Sequence, residues 1–306
     1  MKLKDNSDNA QKYGKQRDWF WHGWRIRYSF YPANMSGKNQ IPILLLHGFG
    51  ASLKHWRYNI PVLRQNHSVY AIDLLGFGNS EKAYAEYGIP FWSELVKDFW
   101  DNFINQPCII IGNSIGSLIA LNAVANYPKI ARGLVMISLP DIYGRREVIP
   151  PFLYPILQKI ENLVAFPLLI RLIFYLVRQR GIITRSLKLA YVDHKNVNDE
   201  LIDIIMIPPQ DKGAARALIA LTRYVNDFNV SAKTLLSQVH IPILLLWGKC
   251  DRLIPPIMAE KLAQINPQIT LKLLDNLGHC LHDENPDLFH QLFFEWEKLI
   301  INLSSV

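Results

Sequence analysis

Gly112-Asn113-Ser114-Ile115-Gly116 is a G-x-S-x-G pentad, preceded by the apolar run Cys108-Ile-Ile-Ile and followed by a helical stretch. Such a serine sits on a tight strand-to-helix turn where only small neighbours avoid collision, and the turn lifts its Oγ into a pocket. A serine hydroxyl becomes a useful nucleophile when an adjacent base takes its proton. By itself the pentad fits equally a serine that caps a helix. Three other passages favour chemistry. His47-Gly48-Phe49-Gly50-Ala51-Ser52 follows an apolar run and could aim peptide N–H groups at an oxyanion. Trp247-Gly-Lys-Cys-Asp251 puts an acid just past another such run, and Leu277-Gly278-His279 puts a histidine just past the last one. Ser114 is then the candidate nucleophile, His279 its base, Asp251 the group that orients the imidazole, and the N–H groups of Phe49 and Ile115 the oxyanion donors. This chemistry calls for no metal and no cofactor. His282 and Asp141 are the competing base and acid; His279 follows the glycine and Asp251 the better-formed strand end. His47 and Asp73 read as structural hydrogen bonders, and Cys250 and Cys280 as small neighbours of the acid and base or, less simply, a redox pair. Asn113 is either backbone filler or a polar pocket residue.

These side chains need strand ends to carry them. Trp19 to Tyr31 predicts two short strands about His22-Gly23, and Ile41–Leu46, Ser68–Asp73, Pro107–Gly112, Arg132–Ser138, Ile241–Trp247 and Thr270–Leu274 predict buried strands. Helices are expected from near Ser52, over Phe91–Ile104, after Ser114 and over Pro286–Ile301. Continuous apolar runs between helices mean strands covered on both faces, hence an α/β fold with a mostly parallel, doubly wound sheet. The alternation stops from 140 to 231, where the text is helical and punctuated by proline. The expected organisation is a polar N-terminal arm (1–16), an α/β core (17–139 and 232–306) and a helical cap inserted at 140–231.

Half of the 306 residues are hydrophobic and 19% charged, which excludes a disordered chain. The net charge of +7 is concentrated. Residues 1–27 hold seven bases against three acids, and residues 145–195 nine against three. The second zone is also strongly apolar, so lipid suits it better than nucleic acid, and no nucleic-acid partner is expected. Three unpaired-looking cysteines suggest a reducing compartment. The start of the chain lacks the apolar run of a secretory signal, so secretion is not expected. The greasy stretch Ile149–Val177 is interrupted by four prolines and three charges and falls short of the roughly 18 apolar residues a spanning helix needs.

HGFGAS, DLLGFGNS, GNSIGS, WGKCDRLIP and LGHCLHDENP together resemble the strand-end motifs of the α/β-hydrolase superfamily. Within it, WFWHGWRIRY, HGFGASLKHW, DLLGFG, GNS and GHCLHDENP look most like the pheophytinase and chlorophyll dephytylase group of plants and cyanobacteria. Ser117 departs from the superfamily's frequent second glycine. The resemblance implies a serine hydrolase that cleaves a carboxylic ester of a hydrophobic substrate, the phytyl ester of a chlorophyll-type pigment among the candidates. The cysteines and the missing signal point to a cytoplasmic place or a peripheral one on an internal membrane, the thylakoid for a pigment substrate, and the apolar, basic cap is the expected membrane contact. The alternatives are a carbon–carbon bond hydrolase of the meta-cleavage type, whose oxyanion loop usually has a Gly-Pro element that HGFGAS lacks, and a slowly hydrolysing ligand receptor on the same fold.

Overall fold

A computed structural model describes residues 12–34, 40–141, 167–224 and 230–303. Eight strands form one sheet: β1 (Lys15–Trp21), β2 (Trp24–Tyr31), β3 (Ile43–Leu46), β4 (Val69–Ile72), β5 (Cys108–Asn113), β6 (Ala131–Ile137), β7 (Ile243–Gly248) and β8 (Ile269–Leu274). Their order is β1-β2-β4-β3-β5-β6-β7-β8. β1 and β2 pair antiparallel, as do β2 and β4. From β4 to β8 every pairing is parallel, with β3 lying between β4 and β5.

The central strands alternate between two cores, although none of them alternates in polarity. Leu44, Leu46, Ile110, Leu134, Met136, Leu245 and Trp247 join one buried cluster, while Ile43, Leu45, Ile109, Ile111, Val135, Leu244 and Leu246 join the other. Side chains on a strand point alternately to opposite faces, so apolar residues at every position mean that both faces are covered. Among the described residues the α-helices are α1 (Ile60–Leu63), α2 (Ile89–Phe99), α3 (Ile115–Asn126), α4 (Pro167–Val177), α5 (Arg180–Ala190), α6 (Asp199–Met206), α7 (Ala214–Tyr224), α8 (Ala232–Leu236), α9 (Ile257–Ala263), α10 (Leu281–Glu284) and α11 (Pro286–Leu303). α2 and α3 close the first face. α11 closes the second with Phe289, Phe293, Trp296 and Ile300.

Between β6 and β7 the described residues contain helices and no strand. Residues 142–166, which include most of the greasy stretch singled out above, lie outside the described residues, as do residues 1–11 of the expected arm. β1 begins at Lys15, and Tyr13 is already buried, its hydroxyl donating to Glu200 at 2.7 Å. The helix expected from near Ser52 is a 3-10 turn, Leu53–Trp56, followed by the four-residue α1. The carboxylate of Asp73 takes the Leu53 N–H at 2.6 Å, and Pro61 has no N–H to continue a ladder.

Candidate active site

Ser114 stands at φ 53° and ψ −121°, between β5 and α3. That region is costly for any residue with a Cβ, roughly 1–3 kcal/mol, and persists only where the surroundings enforce it. Here the enforcement is steric. A Cβ on Gly112 would fall 2.4 Å from the backbone of Gly116, and one on Gly116 would fall 2.4 Å from the carbonyl oxygen of Leu46. The chain therefore turns within a space that admits only glycine on either side of the serine. Ser117 adds to the fit: its Oγ accepts the Ile137 N–H at 3.0 Å and lies 2.7 Å from the Gly112 carbonyl oxygen. Serine at this position ties α3 to β5 and β6 where a glycine could not. α3 is buried nearly throughout, so its N-terminal N–H groups and dipole act at Ser114 with little screening.

The loop after β3 closes on the serine. A Cβ on Gly48 would lie 3.5 Å from the Ser114 Cβ and 2.9 Å from Asn113 Oδ1. This places the peptide of Phe49 next to the nucleophile turn, while Ile115 follows Ser114 directly as the first residue of α3. His47 is fully buried, its Nε2 accepting the Leu74 N–H at 3.1 Å and its Nδ1 therefore donating to the Gly48 carbonyl at 2.7 Å. It holds the loop and does not face the cavity. Asp73 is likewise structural, accepting from Leu53 and from Asn79 at 2.7 Å.

His279 Nδ1 meets Asp251 Oδ2 at 2.8 Å. The other carboxylate oxygen accepts the Leu253 and Ile254 N–H groups, each at 2.9 Å. Burial would raise the Asp251 carboxyl, but the His279 hydrogen bond and charge, with those two N–H groups, outweigh it and hold it below the ordinary range. An ionised carboxylate only accepts, so Nδ1 carries the proton and Nε2 is left with a bare lone pair. The His279 backbone is fixed as well. Its N–H donates to the Ala190 carbonyl at 2.8 Å, and its carbonyl accepts from Asn113 Nδ2 at 3.3 Å and Ser138 Oγ at 3.2 Å. Asn113, undecided in the sequence, is thus a brace between the serine turn and the histidine loop. The carboxylate that His279 Nδ1 meets is Asp251, not the competing Asp141. Cys250 and Cys280 are both free thiols, one exposed and one buried.

Several residues of the site were not singled out in the sequence. Glu284 receives Gly278 N–H on one oxygen (2.8 Å) and Val192 and Asp193 N–H on the other (2.6 and 2.8 Å), clamping the segment after α5 to the histidine loop. Below it, fully buried Arg57 meets Asp283 at 2.9 Å, and the Tyr191 hydroxyl donates to the same carboxylate at 2.8 Å while lying 2.8 Å from His55 Nε2. The signal available was the clustering of ionisable side chains in His55-Trp56-Arg57 and His282-Asp283-Glu284.

His282, the rejected base, is fully buried against Trp56 (ring centroids 4.3 Å apart) and His55 (4.8 Å). Burial, reinforced by the charges of Arg57 and His279, drives its pKa down to about 3. The unfolded chain would protonate it near 6.5, so the native state gives up stability as pH falls below that value and continues to do so toward 3. At pH 5 this group alone costs about 2 kcal/mol relative to neutral pH. His282→Gln is expected to remove that part of the slope in urea titrations compared at pH 7.5 and 5. Parallel pH dependences of variant and parent would contradict it.

Ser114, His279, Phe49, Asn113 and His55 line one cavity of about 300 Å³, roofed by Ile183, Ser186, Leu187 and Ala190 of α5. A second chamber of about 190 Å³ adjoins it and shares Phe49, Ile183 and Ile205. Its remaining lining is mostly apolar, including Phe77, Phe174, Val177 and Leu221, with two cations, Lys82 paired to Asp211 and Arg178 donating to the Pro209 carbonyl. Elsewhere, one ligand atom each from His22, Glu94 and Asp98 lies within 4.8 Å of the others, but none of the three residues lines either cavity.

Residues 43–292 match the model of the alpha/beta hydrolase family. The chain belongs to that family. The chloroplastic pheophytinase of Arabidopsis thaliana is 22% identical over 313 residues, covering 90% of this chain; the chain spans 64% of that protein's length. Among solved structures, a bacterial membrane phospholipase A superposes with a TM-score of 0.77 at 23% identity, covering 97% of this chain and 90% of the other. The meta-cleavage product hydrolase of Pseudomonas fluorescens superposes at 0.72 with 18% identity, covering 92% and 97%. At these identities the structural matches speak for the hydrolase fold alone. No helix among the described residues of this hydrolase is long and apolar enough to cross a membrane.

Proposed function

We propose that this hydrolase cleaves carboxylic esters of hydrophobic compounds through Ser114, His279 and Asp251. The observation that carries the reading is a strained serine sharing one cavity with a histidine whose Nδ1 is held 2.8 Å from a buried carboxylate. Ser114 Oγ attacks the ester carbonyl as its proton passes to His279 Nε2. Asp251 stabilises the imidazolium, and the N–H groups of Phe49 and Ile115 receive the oxyanion, about 3 kcal/mol for each such donor. Collapse breaks the C–O bond, and His279 returns the proton to the departing alcohol. Water, deprotonated by the same nitrogen, then attacks the acyl carbon; the C–Oγ bond breaks, the acid departs, and His279 returns the proton to Ser114 Oγ.

The apolar chamber beside Phe49 supports the hydrophobic half of the reading, as the place for the long arm of the ester. Each methylene it buries is worth about 0.8 kcal/mol, so kcat/KM is expected to rise roughly fourfold per carbon along a p-nitrophenyl ester series until the chamber is full. Leu218→Trp, which fills the chamber, should flatten that rise and leave acetate turnover within about twofold; an unchanged chain-length profile would refute the assignment. Among specific substrates, the phytyl ester of a chlorophyll-type pigment is the first to test, given the likeness to pheophytinase. If neither chlorophyll nor pheophytin loses phytol while simple long-chain esters are cleaved, the pigment reading fails and the esterase reading stands.

A further inference from the structure

Apart from Arg171, α4 carries no charge on any side, yet only part of it faces protein. Ile170 and Phe174, one turn apart, are 3% and 9% exposed and point inward. Leu172 is 59% exposed, Tyr175 50%, Leu176 48% and Val177 42%. On α5, Ile182 and Leu189 continue the exposed apolar surface. The charges within α4 and α5 are of one sign, and Arg180 is paired to Asp199 and Asp203 of α6. Arg171, Arg185 and Lys188 are exposed, and no acid occurs between residues 167 and 190. A helix that is apolar all round is ordinarily enclosed by other elements or placed in lipid, and a contiguous exposed patch of this kind marks a contact surface. Eleven residues of helix span only about 16 Å, half the hydrocarbon thickness of a bilayer, so α4 can lie in a membrane interface and cannot cross one.

We propose that the outward face of α4, with the adjoining face of α5, docks on an anionic lipid bilayer. The exposed aliphatic and tyrosine side chains enter the headgroup boundary, and Arg171, Arg185 and Lys188 meet lipid phosphates. Position favours lipid over a protein partner. Val177 belongs both to this exposed face and to the lining of the apolar chamber, with Phe174 immediately inside. A lipid-soluble ester thus passes from bilayer to chamber without crossing water. This loading role rests on the ester-hydrolase reading; the docking does not.

The test is flotation of the full chain with phosphatidylcholine vesicles, with and without about 30% phosphatidylglycerol. Binding to the anionic vesicles is expected to exceed binding to the neutral ones by about tenfold or more and to weaken in high salt. The double variant Leu172→Asp, Leu176→Asp should lose about tenfold of that binding and keep its turnover of soluble p-nitrophenyl acetate, which reports that it is folded. Arg185→Glu with Lys188→Glu should weaken anionic binding alone. Equal or absent binding to the two vesicle types would overturn the proposal. So would light scattering that shows a dimer which the Leu172→Asp, Leu176→Asp pair dissociates. Loss of acetate turnover in the Ser114→Ala variant with vesicle binding intact separates the docking surface from the catalytic site.

Discussion

Replacing Ser114 by alanine is expected to lower kcat for a p-nitrophenyl ester by roughly 10⁴-fold or more, with the circular dichroism spectrum and cooperative unfolding preserved. The backbone at Ser114 is set by Gly112, Gly116 and the Gly48 loop, none of which involves its hydroxyl, so alanine inherits the same turn. On the proposed mechanism, what disappears is the oxygen that forms the acyl intermediate. The remaining activity reports the N–H groups of Phe49 and Ile115 and the binding of the arm, which still favour attack by water. A variant that kept most of its turnover would remove Ser114 from the mechanism.

Asp251→Asn should cost a comparable amount, roughly 10⁴-fold in kcat, for a reason of proton placement. Leu253 and Ile254 donate to one oxygen of Asp251, and an asparagine keeps them by placing its carbonyl there. Its NH₂ then faces His279 Nδ1 where a carboxylate now accepts at 2.8 Å. The imidazole is forced to present a bare Nδ1 and to carry its proton on Nε2, the nitrogen that must take the serine proton. Substrate binding should change little, so the loss falls on kcat and leaves KM near its parent value. A loss confined to KM would mean that Asp251 shapes the cavity and does not orient the base.

The strands were readable because burial on both faces leaves unbroken words such as Ile43–Leu46 and Ile243–Trp247, and the strand-end motifs followed from them. Gly112 and Gly116 were legible for a related reason, since close backbone approach admits one residue type. What was not legible depends on contacts between distant segments. Glu284 and Val192 stand 92 residues apart in sequence, as do Tyr191 and Asp283, and no periodicity announces such pairs. Asn113 could not be assigned for the same reason, because its partner is the His279 carbonyl. The expected helix after Ser52 begins there but only as the 3-10 turn Leu53–Trp56, because Pro61 has no N–H with which to carry one continuous ladder into α1.

Covalent labelling with a fluorophosphonate, followed by peptide mass analysis, tests the central claim most directly, because only an activated serine reacts quickly. The expected result is one label per chain, on the peptide containing Ser114, absent in Ser114→Ala and slowed in Asp251→Asn. Ester turnover that persists while Ser114 remains unlabelled, or a label carried by another serine, would contradict it.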